Sequence, residues 1–288
     1  MLHLIGKMLA IEDALFNDFY NRYMAGLAIA PREVVKIPTE LVKCAEIPNV
    51  LSARELRYMG IDSVEAADGL IAVITIRGTM QMYDDWYQYG TENLIQQLML
   101  ADGNVAVKSI ILRVDSGGGE LAGSEQLAMA VKGMKKPKIG SGKRMAASAA
   151  YWAFSQCDEC YIEDSLTAVG SIGTMGIYRD IVSANEKAGI HYKILRSAGS
   201  EDKAALNGLE SLDGEFQQVA LGQEQKVLDD SRKVFLASVR ANRPRVSESI
   251  GGGIFYGKDA VNQGLVNSLM SFDGVLKRAN VLGSLAKK

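Results

Sequence analysis

Histidine is nearly absent from this 288-residue chain, which has only His3 and His191, so a site built on several imidazoles has no material. Cysteine is almost as scarce, with Cys44, Cys157 and Cys160 as the whole set. Three thiols with no second pair exclude a disulfide framework and point to a reducing compartment. Cys157-Asp158-Glu159-Cys160 has C-x-x-C spacing, but a zinc centre needs two further ligands nearby and neither histidine is placed to supply one. Two buried thiols beside a strand are expected instead, with no metal and no cofactor. Neither sign of charge is in excess, because 32 basic and 34 acidic residues leave a net charge of −2. That excludes the broad basic field of a nucleic-acid binder. No window approaches the roughly 20 uninterrupted apolar residues of a membrane span. The N-terminal MLHLIGKMLAIEDALFNDF has apolar residues at helical spacing, yet Lys7, Glu12 and Asp13 interrupt it and no small-residue cleavage site follows. The expectation is a protein of the cytoplasm.

A regular alternation starts after residue 65. Residues 1–65 read as an extension of helices and loops, punctuated by Pro31, Pro38 and Pro48, and residues 66–288 as one domain. Residues 69–77 form a β-branched run of strand length, and Thr91 can cap a helix carrying Leu94, Ile95 and Leu98. Residues 107–114 are a second strand, leading to the glycine cluster Asp115-Ser-Gly-Gly-Gly-Glu120 and a helix closed by Gly133. Strands are expected at 137–141, 160–162, 168–178 and 191–196, with a short helix at 147–156 and a long one at 213–240. Phe255 to Val266 reads as strand, helical turn and strand. Strands alternating with helices across short turns predict a parallel sheet covered on both sides, an α/β fold.

Three motifs imitate known sites. Gly117-x-Gly119-x-x-Ala122 fits a dinucleotide fingerprint, but the acidic residue wanted about 20 positions on falls among Gly140, Ser141, Gly142 and Lys143. Gly252 to Lys258 spells G-x-x-x-x-G-K, but Asp259 stands where a phosphate loop needs Ser or Thr. Ser200-Glu-Asp-Lys203 is S-x-x-K without the partner motifs of a β-lactamase. The glycine cluster has another use. Backbone N–H groups without a Cβ over them, at a strand's C-terminal end, suit an oxyanion as well as a tight turn.

Ser148, in KRMAASAAYWAF, lies between a strand and a helix among residues too small to shield it. Position alone allows an N-cap or a nucleophile, with the Ala149 N–H as an oxyanion donor. Its base could be His191 or a lysine. Lys203 follows the end of the 191–196 run, while Lys143 is five residues before Ser148, about 16 Å along an extended strand.

With these residues in place the chain resembles the signal-peptide-peptidase family of serine peptidases, and within it the phage head-maturation (capsid assembly) branch. The likeness runs through IAVITIRGTM, VDSGGGELAGSEQLA, MAASAAYWAFSQCDECYIED, AVGSIGTMGIY with AGSEDKAALNGLE, and FYGKDAVNQGLVNSL, over about residues 68 to 270. The resemblance implies a Clp-protease/crotonase-like β/α spiral, assembled as a homo-oligomeric ring or dome. It implies Ser148 as nucleophile, Lys203 as general base, and Gly118 with the Ala149 N–H as oxyanion hole. Gly119 and the block Gly170-Ser171-Ile172-Gly173 would lie along the substrate strand. The family's Ser-Pro-Gly-Gly is Ser116-Gly117-Gly118-Gly119 here, and Ser-Gly-Gly-Tyr is Ser148-Ala149-Ala150-Tyr151. The implied partners are scaffold, portal or capsid proteins of an assembling head, met in the host cytoplasm or inside the procapsid. The alternatives are a cytosolic peptide-clearing relative, a crotonase-like acyl-CoA enzyme, and an inactive assembly scaffold.

Overall fold

A computed structural model of the chain describes residues 9–11, 39–43, 69–84 and 89–285. Most of the expected N-terminal extension lies outside these residues. Its two described pieces are strands, β1 (Leu9–Ile11) and β2 (Glu40–Lys43), so helical spacing misled at residues 9–11. The remaining order is β3 (Leu70–Arg77), α1 (Thr91–Gly103), β4 (Val107–Ser116), β5 (Gly118–Glu120), α2 (Ser124–Gly133), β6 (Lys138–Ala147), α3 (Ala149–Phe154), β7 (Glu159–Ile162), β8 (Ala168–Gly170), α4 (Val182–Lys187), α5 (Glu215–Asn242), β9 (Ile254–Tyr256), α6 (Gly257–Asn262), β10 (Ser268–Leu269) and α7 (Phe272–Leu285).

The main sheet runs β10-β7-β6-β4-β3-β2, parallel except where β2 joins β3. Its parallel neighbours are linked through helices, as a sheet of this kind requires. β6 changes partner midway. Ile139–Gly142 pair with β7, and Met145–Ala147 pair with β8, whose other edge takes β9 antiparallel. The expected α/β class with a mostly parallel sheet is therefore what the chain forms.

Strand alternation sorts the core onto both faces. Leu70, Ala72, Ile74 and Ile76 of β3, with Ile110, Leu112 and Val114 of β4, join the buried sides of α1, α2 and α3. The intervening Ile71, Val73 and Ile111 meet Val275, Leu276 and Ala279 of α7 on the opposite face. Each fully buried aliphatic side chain contributes about 1.5–3 kcal/mol, so strands buried on both faces hold this sheet tightly.

Several expectations are corrected. Thr91 is the first residue of α1 rather than its cap; the cap is Gly90, whose N–H donates to Asp84 Oδ1 at 2.7 Å. The glycine cluster does not open a helix, because β5 and a turn intervene before α2. Only Ala168–Gly170 of the 168–178 run is a strand. Residues 191–196 form no strand, since the segment is exposed or half-exposed and no sheet edge pairs with it. β6 runs on to Ala147, six residues past the strand expected from Pro137–Ser141.

The chain divides into two compact units, residues 1–9 with 174–234 and residues 10–173 with 235–288. The larger holds the sheet and its two cores. In the smaller, Arg196 bonds Glu210 and the carbonyl oxygens of Lys203 and Ala204, and Thr174 Oγ1 donates to Leu228 O.

Candidate active site

Three strand ends meet around Ser148. Ser116, the last residue of β4, pairs with Ala146 of β6, and Ala147 pairs with Gly170, the last residue of β8. Ser148 follows directly at the C-terminal end of β6, with the glycine loop on one side and the G-S-I-G block on the other.

Its backbone is unusual for a serine, with φ 55° and ψ −130°. Conformations of this kind cost about 1–3 kcal/mol and persist only where neighbours hold them. Here the Ser148 N–H donates to Gly170 O at 2.9 Å, and Ser148 O accepts from the Trp152 N–H at 3.0 Å. The side chain is buried, and its Oγ has no hydrogen-bond partner among the described residues. An N-cap serine would spend this hydroxyl on a helix amide. Ser148 occupies the N-cap position of α3 but makes no such bond, so its hydroxyl is not spent on capping.

The helix behind the serine is anchored at both ends. Trp152 stacks on Phe235 with ring centroids 4.6 Å apart, and the Tyr151 hydroxyl donates to Leu265 O at 2.9 Å. Asn242 Nδ2 donates to Ser155 O and Cys157 O at 2.8 and 2.9 Å. The buried Arg243 guanidinium reaches the same two carbonyls, Asn267 Oδ1 and Cys160 Sγ. The Arg243 guanidinium and the Asn242 amide satisfy carbonyls left open where α3 ends. Both thiols of the C-x-x-C sequence are buried in this knot. Burial pushes the Cys160 thiol up to about 11 against the pull of Arg243, and the Cys157 thiol up as well. Neither behaves as a reactive thiolate.

On the glycine side, Gly118 has φ 94° and donates its N–H to Ser116 Oγ at 3.1 Å, while Ser116 Oγ donates to Gly78 O. Gly118 can therefore serve an oxyanion only by releasing Ser116. A Cβ on Gly119 would fall 1.9 Å from Met80 O, so close backbone approach excludes any side chain there. On the other side Gly170 (φ 110°) and Ser171 (φ 51°) both take left-handed backbone. The Ser171 N–H donates to Gly253 O at 2.8 Å, and the Gly173 N–H to Ser171 O at 3.0 Å. Ile172 is fully buried.

The larger unit thus brings together Ser148, Ala149, Gly118, Gly119 and Gly170 to Gly173. Lys203 is an exposed residue of the smaller unit, followed by Ala204 at φ 54°; its carbonyl oxygen accepts from Arg196 Nε at 2.6 Å. His191 is an exposed residue of the same unit. Lys143 lies in β6 itself, where the strand's register with β4 shifts between Gly142 and Ala146, so the regular extended spacing does not hold there. Arg243, Asn242 and Gly253 escaped the sequence reading. Only Gly253 had a visible signal there, inside the false phosphate-loop motif.

The sequence profile of peptidase family S49 matches residues 130–286, just over half of the chain, and the stretch includes Ser148 and Lys203. The chain belongs to peptidase family S49. Protease 4 of Haemophilus influenzae is 27% identical over 216 residues, covering 74% of this chain and 34% of that protein. The head-tail preconnector protein GP5 of Enterobacteria phage P21 is 24% identical over 225 residues, covering 74% of this chain and 44% of that protein. The chain therefore spans about a third to under a half of the length of these curated relatives. Among solved structures, a point mutant of ClpP1 from Listeria monocytogenes overlaps 70% of this chain and 94% of its own, with 15% identity and a TM-score of 0.46. Among the described residues no helix is long and apolar enough to cross a membrane.

Proposed function

We propose that this S49 chain is a serine endopeptidase with Ser148 as nucleophile and Lys203 as general base. The observation that carries the reading is Ser148, a non-glycine residue held at positive φ with its hydroxyl buried and unspent. A strained strand-to-helix turn presenting a serine is the arrangement of a nucleophile elbow. In this reading Lys203 takes the Ser148 proton as Oγ attacks the scissile carbonyl. The oxyanion is held by the Ala149 N–H and by the Gly118 N–H once it leaves Ser116 Oγ. Collapse of the tetrahedral adduct expels the amine, which takes the proton back from Lys203, and water then hydrolyses the acyl-serine with Lys203 again as base. Gly119 and the Gly170 to Gly173 block line the substrate strand.

The substrates in this reading are the scaffold, portal or capsid proteins of a phage or prophage head, processed in the host cytoplasm or inside the procapsid. The phage P21 preconnector relative supports it. Assembly into a homo-oligomer is part of the same proposal. Residues 174–234 expose Ile190, Tyr192, Leu195, Phe216 and Val219, the surface a second copy would cover. A second reading, a peptide-clearing enzyme, draws on the Protease 4 relative. Co-expression with the neighbouring head proteins separates the two: wild type should shorten them and Ser148→Ala should not, and equal processing by both chains sinks the nucleophile. A fluorophosphonate that labels Ser148 also sets aside a crotonase-like acyl-CoA enzyme, whose chemistry has no activated serine.

A further inference from the structure

β5 begins two residues after Ser116 and is packed by α3, the helix that Ser148 opens. It has two edges. One is taken by Met80, whose N–H donates to Gly118 O at 2.8 Å and whose carbonyl oxygen accepts from the Glu120 N–H at 2.9 Å. Those bonds use Gly118 and Glu120, so strand alternation turns the N–H and C=O of Gly119 towards the opposite edge. That edge is not open. It carries β1, and β1 and β5 form a two-stranded sheet of their own.

We propose that β1 is a built-in occupant of a peptide-strand docking edge: residues 9–11 of this chain sit where an extended substrate pairs with Gly119. The inference rests on the reading of Ser148 as nucleophile, because only that makes the β5 edge a place where substrates lie. Three features support occupancy over permanent structure. β1 is three residues long and, among the described residues, pairs only with β5, which is itself only three residues long. A pair of strands this short is marginal on its own. The flanking sequence, Ile5-Gly-Lys-Met-Leu-Ala-Ile-Glu-Asp-Ala-Leu15, is the kind of apolar peptide that β-augmentation accepts, with main-chain bonds supplying the affinity. The consequence is self-competition: a substrate strand must displace β1 before it reaches the serine.

The test uses the full chain and a fluorescein-labelled peptide of residues 5–15. Ala10→Pro removes a backbone N–H and disfavours pairing, with Ile11→Pro as a second variant should the first fail to fold. Vacating this edge should tighten peptide binding about tenfold over wild type, the factor that about one net main-chain hydrogen bond sets. A peptide carrying the same Ala10→Pro change should not bind. With labelled casein as substrate, KM should fall by a similar factor while kcat stays unchanged. A purely structural β1 would instead lower the melting temperature and leave peptide affinity and KM where they were, and that result overturns the proposal. Fluorophosphonate labelling of Ser148 is read in parallel. Tighter peptide binding with an unlabelled Ser148 would retain the docking edge and remove the nucleophile, so the two failures are distinguishable.

Discussion

Residues 10–173 with 235–288 and residues 174–234 are built on different terms. The first set buries strands on both faces and buries every residue of α3, Tyr151, Trp152 and Phe154 included. In the second set only Ala205, Gly208 and Gln217 are buried, and the backbone near Lys203 is held by hydrogen bonds from Arg196, itself paired with Glu210. A strained nucleophile needs the first kind of surroundings, because a close-packed core over-determines a conformation that one residue would not choose. The second kind leaves Lys203, the base proposed above, on a segment with little core of its own, open to a neighbouring chain or a substrate. Rigidity is concentrated at the proposed nucleophile.

The largest expected effect breaks the comparison at its rigid end. Ser148→Ala should lower peptidase activity on the order of 10⁴–10⁶-fold, as loss of a catalytic serine does. Its melting temperature should stay within a degree or two, since the hydroxyl makes no bond that Ala would lose. Lys203→Ala is the matching cut at the open end. Activity should fall about 10²–10⁴-fold, the range of a lost general base, with unfolding in urea unchanged because the residue is exposed. Full activity in Lys203→Ala would return the base to Lys143 or His191. Arg243→Met tests the packing itself. It removes the buried cation that holds the end of α3 and should cost about 3 kcal/mol in urea unfolding. Activity should drop with it, whereas Arg196→Ala, the analogous change beside Lys203, should alter activity with a smaller loss of stability.

Legibility followed the same division. Strands β3 and β4 were readable because residues buried on both faces make continuous β-branched runs, and Ser148 stood out by its small neighbours. The 191–196 alternation looked just as strand-like, yet a strand needs an edge to pair with, and periodicity carries no information about partners. Helix α7 was missed although Phe272, Val275, Leu276, Ala279 and Leu282 recur at helical spacing and pack on a sheet face, because Gly274 and Gly283 inside the run weaken a helical reading. Within the site, glycine positions were legible as close approaches. The bond from the Gly118 N–H to Ser116 Oγ was not, nor was the clamp of Arg243 on Ser155 and Cys157, since both are tertiary contacts between ordinary residues.

The smallest effect sharpens the comparison through pH. Burial raises the Cys160 thiol from its usual 9.0 to about 11, and it pushes Cys157 and Tyr151 upward as well. The folded chain then keeps protons that the unfolded chain gives up, so this stabilisation is complete below about pH 9 and lost as pH rises towards 11. For Cys160 alone the difference is on the order of 2–3 kcal/mol. Urea unfolding between pH 8 and pH 11 should show stability falling over that window, and Cys160→Ser should flatten part of the fall because its hydroxyl does not titrate there. An equally steep fall in Cys160→Ser would mean that the thiol is hydrated in solution, and that the core around α3 is looser than its packing against Arg243 requires.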